Sequence, residues 1–149
     1  MNKKKTMIII LSSLFMLLFA ACTNSNDMKD GYYTAETKDF ENGWKEYVCV
    51  LVKNGNIISI DYNAKNESGY VKAWDGEYMQ LMNSYSGTYP TEYTREYSSQ
   101  VLESQDPLQI DSVSGATHSG QTFTALMKAV SESAKAGDSS IAIVDTGAE

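Results

Sequence analysis

Between Glu46 and Val52 the chain reads EYVCVLV, and between Ile57 and Tyr62 it reads IISIDY. Both runs are rich in the β-branched and aromatic residues that suit a half-buried pleated surface, and they predict strands. Lys53-Asn54-Gly55-Asn56 separates them. Asn-Gly between two such runs predicts a hairpin, because both residues accept the positive φ of a tight turn. Strict alternation puts Ile58, Ile60 and Tyr62 on one face of the second strand. An earlier strand is expected through Tyr32, Tyr33 and Thr34, with a turn around Asn42-Gly43. After residues 63–69 the period changes from 2 to 3.6. Tyr78, Leu81, Met82 and Tyr85 recur at helical spacing, with Asp75 placed to cap the start and Gly87 the end. Pro90 opens a second helix carrying Tyr93, Tyr97 and Val101, which stops before Pro107. Phe123, Leu126, Met127, Val130 and Ala134 form the apolar stripe of a third, followed by Gly137 as its C-terminal cap. A last strand is expected within SSIAIV, residues 139–144. This order predicts an α+β fold, a small antiparallel sheet with helices packed on it, and no internal repeat is visible.

The N-terminus has a different pattern. Lys3, Lys4 and Lys5 precede an apolar run from Met7 to Ala20, which is short for a spanning helix and suits a signal-peptide core. Ala20 and Ala21 then lead into Cys22, a segment that resembles the lipobox of bacterial lipoproteins. The resemblance implies cleavage before Cys22 and acylation of that cysteine. Phe19 departs from the leucine usual three residues before it. An uncleaved anchor or an ordinary secretory signal is the alternative. The expected organisation is a signal peptide over 1–21, a solvated tether over 22–30 (TNSNDMKD after the cysteine) and one folded domain over 31–149.

Composition narrows the function classes. The 149 residues are 42% hydrophobic and 21% charged, values of a folded chain of single-domain size. The net charge is −7; without Lys3, Lys4 and Lys5, nine basic residues face nineteen acidic ones, a net of −10. Such a body does not suit nucleic acid or an anionic lipid surface. Cys22 and Cys49 are too few for a disulfide scaffold, and Cys49, inside YVCVLV, reads as a small buried hydrophobe. There is no GxSxG elbow for a serine hydrolase, and the one histidine would have to serve as its base. No Cys/His cluster offers a zinc site.

The chemistry should lie just before the third helix, in Asp111-Ser112-Val113-Ser114-Gly115-Ala116-Thr117, followed by His118-Ser119-Gly120. Small residues leave the backbone open to close approach there. The first amides of a helix have no internal partner and sit at the positive end of its dipole, so they can hold a phosphate oxygen. Thr117 is placed to carry or contact a phosphoryl group. Capping the helix is the ordinary role of a hydroxyl residue at such a place.

DSVSGAT resembles the Asp-x-x-Ser/Thr-Gly-Ala-Thr/Ser motif of the FMN-binding domain family. That domain occurs in the C subunit of sodium-pumping quinone reductases, the G subunit of the Rnf complex and small lipoproteins of flavin-based extracellular electron transfer. Asp30-Gly31-Tyr32-Tyr33, Gly43-Trp44-Lys45, the VKNGNI hairpin and SGTYPTEY (86–93) look similar to the lipoprotein members. The resemblance implies a covalent FMN on Thr117 through a phosphoester, attached by an FAD-dependent FMN transferase that recognises Asp111, Ser114, Gly115 and Ala116. His118 adjoins the acceptor and can contact the phosphate or simply lie exposed. Ser112, Ser114 and Ser119 are the competing hydroxyls nearby. The implied protein is an electron carrier rather than an enzyme, lipid-anchored on the outer face of the cell membrane. Its implied donor is a membrane quinone-linked dehydrogenase or another redox protein. The isoalloxazine needs an apolar, partly aromatic cleft, which some of the ten tyrosines with Trp44 and Trp74 can furnish. The competing class is a non-redox ligand-binding or adhesive lipoprotein in which DSVSGAT is only a loop; a yellow protein on co-production with the transferase separates the two.

Overall fold

The computed structural model describes residues 28–147. Strand β1 is Gly31–Thr37, and the Asn-Gly hairpin joins β2 (Lys45–Lys53) to β3 (Asn56–Lys65). Asn54 and Gly55 at its tip have φ of 53° and 73°, the doubly positive geometry that their side chains allow. Asn42 and Gly43 do the same between β1 and β2, at 51° and 83°. Glu41 and Trp44 exchange both backbone hydrogen bonds across that turn, at 2.8 and 2.9 Å.

Val48, Val50 and Val52 point into the core from β2, so Tyr47, Cys49 and Leu51 lie on the opposite, half-open face. Cys49 is therefore half-buried on the outer side of the sheet and not the core residue expected from its run. In β3 the register slips by one between Leu51 and Val52, so that Leu51 faces Ser59 but Val52 faces Ile57. This bulge turns Ile57 inward (2% exposed) and leaves Ile58 outside (49%), although strict alternation puts Ile58 on the face of Tyr62, which is buried.

Three α-helices follow. Helix α1 (Gly76–Ser86) is capped by the Asp75 carboxylate, which accepts from the Tyr78 N–H, and it ends at Gly87 with φ 72°. Helix α2 (Pro90–Ser104) lies against β3 and buries Tyr93, Tyr97 and Val101. Helix α3 (Thr117–Ala136) crosses β1 and β2, burying Phe123, Leu126, Met127, Val130 and Ala134 completely. Burying each of the larger four, Phe123, Leu126, Met127 and Val130, stabilises the fold by about 1.5–3 kcal/mol. Strand β4 (Ala142–Val144) is shorter than the run that suggested it and pairs parallel to β1. The sheet order is β3-β2-β1-β4, and the sheet is mixed where the sequence suggested a wholly antiparallel one. The parallel pairing is reached because α3 returns the chain along the sheet before β4 begins.

Two further differences concern the edges of these elements. Helix α1 buries no residue; Leu81 and Tyr85 of its stripe are 52% and 81% exposed, because no layer covers that side. Met28 belongs to the core, and the Lys29 N–H donates to the Ala134 carbonyl (2.9 Å) while Lys29 Nζ donates to the Ala136 carbonyl (2.9 Å). Residues 28–30, expected as tether, are thus fastened to the C-terminal end of α3. Cys22 and the signal segment lie outside the described residues.

Candidate functional site

The loop from Asp111 to Ala116 is held from inside by one phenol. Tyr97, fully buried on α2, accepts the Val113 N–H (3.0 Å) and donates to the Ala116 carbonyl (2.9 Å). Gly120 lies flush on the same ring, since a Cβ there would stand 2.5 Å from Tyr97 Oη. Gly115 has φ 80°, and a Cβ on it would collide with the Ser86 carbonyl at the end of α1, so only glycine fits. Gln100 clamps the start of the loop, accepting the Asp111 N–H (2.7 Å) and donating to the Asp111 carbonyl (3.2 Å). The side chains of Asp111 and Ser114 remain exposed.

Thr117 is the first helical residue of α3, and the N-cap is Ala116, whose side chain caps nothing. The capping role open to Thr117 in the sequence is therefore not used. Its hydroxyl is exposed and stands 3.4 Å from Ser112 Oγ. The Gly120 N–H is the first to reach a carbonyl, that of Ala116 at 3.0 Å. The amides of Thr117, His118 and Ser119 before it have no acceptor among the described residues. Unpaired amides, a helix dipole and an accessible hydroxyl form a donor set that fits a phosphate ester.

One helical step around from Thr117, a cleft of about 260 Å³ opens between the Asn42-Gly43 turn, α1 and the start of α3. Trp44 and Tyr78 face each other in it with ring centroids 6.3 Å apart, and Met82 continues the apolar wall. The exposed Leu81 and Tyr85 thus belong to the far side of a helix whose near side lines the cleft. Lys72 Nζ lies 4.9 Å from the Tyr78 ring centroid and 5.8 Å from that of Trp44. His118 Nε2 and Glu41 Oε2, both exposed, meet at 2.9 Å on its rim. An aromatic wall with one cation beside it suits a flat, electron-poor heteroaromatic ring. Thr117 itself opens onto a neighbouring groove with Ser112, Ile110 and Thr124. The structure thus brings Gly115, Ala116, His118 and Ser119 to the cleft, Thr117 to its shoulder, and leaves Asp111 and Ser114 outside it.

Glu46 lines the cleft from the first turn of β2. Its Oε2 is 2.6 Å from the hydroxyl of Tyr62, which is in turn 2.7 Å from the carbonyl oxygen of Ser119. Burial pushes the Glu46 carboxyl above the usual glutamate range, against the opposing pull of the Tyr62 hydroxyl, Lys72 and His118. Burial, with the Glu46 charge beside it, pushes the Tyr62 phenol well up.

In the sequence Trp44 and the tyrosines stood out only collectively, as aromatics able to furnish a flavin cleft, whereas Glu46, Lys72 and Gln100 carried no signal. Tyr62 and Tyr97 read as members of apolar stripes, and their hydroxyl partners lie 57 and 19 residues away.

The chain is similar to known proteins. Residues 43–132 match the model of the FMN-binding domain. The chain is 35% identical over 123 residues to the 15 kDa lipoprotein of Treponema pallidum, covering 82% of this chain and 86% of that one. A crystal structure of a Clostridium perfringens protein superposes with a TM-score of 0.77 at 33% identity, covering 80% of this chain and 99% of its own. The matched span runs from the turn that carries Trp44 through the motif loop and most of α3, and the chain belongs to the FMN-binding domain family.

Proposed function

We propose that the protein is a lipid-anchored flavoprotein that carries one FMN on Thr117 through a phosphoester and passes electrons on the extracytoplasmic side of the membrane. The observation that carries this reading is the exposed Thr117 hydroxyl at the head of α3, beside unpaired amides and a cleft walled by Trp44 and Tyr78. The free amides of the first turn receive the phosphodiester charge, and the cleft takes the isoalloxazine. When bound, the flavin supplies one- and two-electron chemistry; the chain supplies attachment, orientation and exclusion of water. A covalent link also keeps the cofactor from being lost by dilution outside the cell. Acylation of Cys22 provides the anchor, as the lipobox-like segment and the named lipoprotein relative suggest. The attaching enzyme is an FAD-dependent FMN transferase, and the electron donor is a membrane quinone-linked dehydrogenase or another redox protein.

Peptide mapping by mass of wild type and Thr117→Ala, each co-produced with the transferase, tests the reading. The wild type should carry one FMN on the peptide containing Thr117, and Thr117→Ala should carry none. Because Thr117 makes no cap, the variant should melt within about 0.5 kcal/mol of wild type. Asp111→Ala should lose flavin while folding normally, since its carboxylate is exposed and only its backbone is clamped. Flavin that survives in Thr117→Ala would sink the acceptor assignment, and a wild type that never takes up flavin would sink the function.

A further inference from the structure

We propose that Glu46 is held as a neutral carboxylic acid on the floor of the cleft and surrenders its proton when the flavin there is reduced, an inference that rests on the flavin reading above. The argument is a count of protons. Three oxygens lie in a row: Glu46 Oε2, Tyr62 Oη at 2.6 Å, and the Ser119 carbonyl oxygen a further 2.7 Å on. The carbonyl only accepts, and Tyr62, 3% exposed, brings a single proton. If Glu46 were ionised, one of the two short contacts would join two acceptors with no hydrogen between them. If Glu46 is protonated, its O–H donates to Tyr62 and Tyr62 donates to Ser119, and every member is satisfied.

The surrounding charges are mixed. Lys72 from the short turn before α1 and His118 from α3 favour the carboxylate; burial and Glu41 from the β1–β2 turn favour the acid. Tyr78 of α1 lines the same cleft, and Tyr93 of α2 stands behind Tyr62; burial keeps the Tyr93 phenol protonated as well. The Lys72 ammonium lies over the faces of Tyr78 and Trp44, and the described residues show no ion pair between it and Glu46.

The step balances. When bound and reduced by two electrons from an external reductant, the flavin would supply a proton-accepting ring nitrogen, to which the Glu46 carboxyl could give the proton of its O–H bond. Tyr62 then turns its O–H from the Ser119 carbonyl to the new carboxylate, and Lys72 offsets the charge. Water at the cleft mouth later restores the proton.

Glu46→Gln tests this without breaking the chain of hydrogen bonds, because the amide N–H can donate to Tyr62 where the acid did. Wild type and variant are co-produced with the transferase, weighed for covalent flavin and reduced with dithionite in a stopped-flow instrument. The two electrons come from two sulfur dioxide radical anions, which leave as sulfite. The wild-type rate should fall as pH rises through the Glu46 titration and show a solvent deuterium effect. Glu46→Gln should be at least about tenfold slower at low pH, independent of pH in that range and free of the isotope effect, at the lower end of what a positioned general acid contributes. In carboxyl-labelled protein, the resonance lost in Glu46→Gln should titrate at higher pH than the ordinary glutamates. A Glu46 that titrates with them, or equal rates for two flavin-loaded proteins, overturns the proton role and leaves the flavin reading standing. Wild type without flavin mass overturns both.

Discussion

Tyr97 is fully buried, yet both hydrogen bonds of its hydroxyl go to the backbone of the loop that presents Thr117. Tyr97→Phe keeps the ring that packs on Phe123 at 5.7 Å and strands the Val113 N–H and the Ala116 carbonyl. The expected cost is about 1–3 kcal/mol in urea unfolding, the penalty for buried polar groups left without partners. The loop would also loosen, so the fraction of chains carrying flavin after co-production should fall although Thr117 is intact. Full flavin loading of a destabilised Tyr97→Phe would show that the phenol supports the fold alone. The contrast with Thr117 follows from position: the acceptor makes no fold-stabilising cap, while its unreactive neighbour on α2 fixes where it stands.

The elements divide by how local their causes are. Ile57→Ala should cost about 2–5 kcal/mol, whereas Ile58→Ala should stay within about 0.5 kcal/mol, because the bulge buries only the first. Comparable losses on thermal or urea melting would place the bulge wrongly. The hairpin, its Asn-Gly tip and the three helices were legible in the sequence because turn geometry, caps and apolar period act over a few residues. The bulge was not. Gln105, at the end of α2, accepts the Ile57 N–H and donates to the Ile57 carbonyl, both at 2.9 Å. A contact 48 residues distant therefore sets the register of β3 against simple alternation. Helix α1 shows the converse limit: its caps and period predicted its bounds correctly, but not that Tyr78 and Met82 of its stripe would line a cleft while Leu81 and Tyr85 stayed exposed.

On the scale of the whole molecule, charge joins strands that sequence separates. Glu36 of β1 receives Lys45 of β2 at 2.9 Å and Lys65 of β3 at 3.0 Å on the open face of the sheet. Burial pushes the Glu36 carboxyl up, but the hydrogen bonds and charges of the two lysines outweigh it and hold it below the ordinary glutamate range. A carboxyl lowered in the folded state adds stability above its unfolded value near 4.5 and loses it as pH falls through the folded value. Glu36→Gln should therefore unfold more easily than wild type at pH 7, by up to about 1 kcal/mol. The gap should close on acidification; a gap constant with pH would trace the loss to packing. The motif was legible because it is contiguous, while the cleft beside it was not, since its walls come from β2, α1 and α3 and meet only in the folded chain.

Lys29 is fastened to the last turn of α3, and Thr117 opens the first. Twenty helical residues separate those ends, a span of about 30 Å. From Met28 back to Cys22 the chain can reach at most about 20 Å. On the proposed reading, a lipid on Cys22 and a flavin on Thr117 would be tied to opposite ends of α3. The anchor would then leave the cofactor end of α3 clear of the chain's own point of attachment.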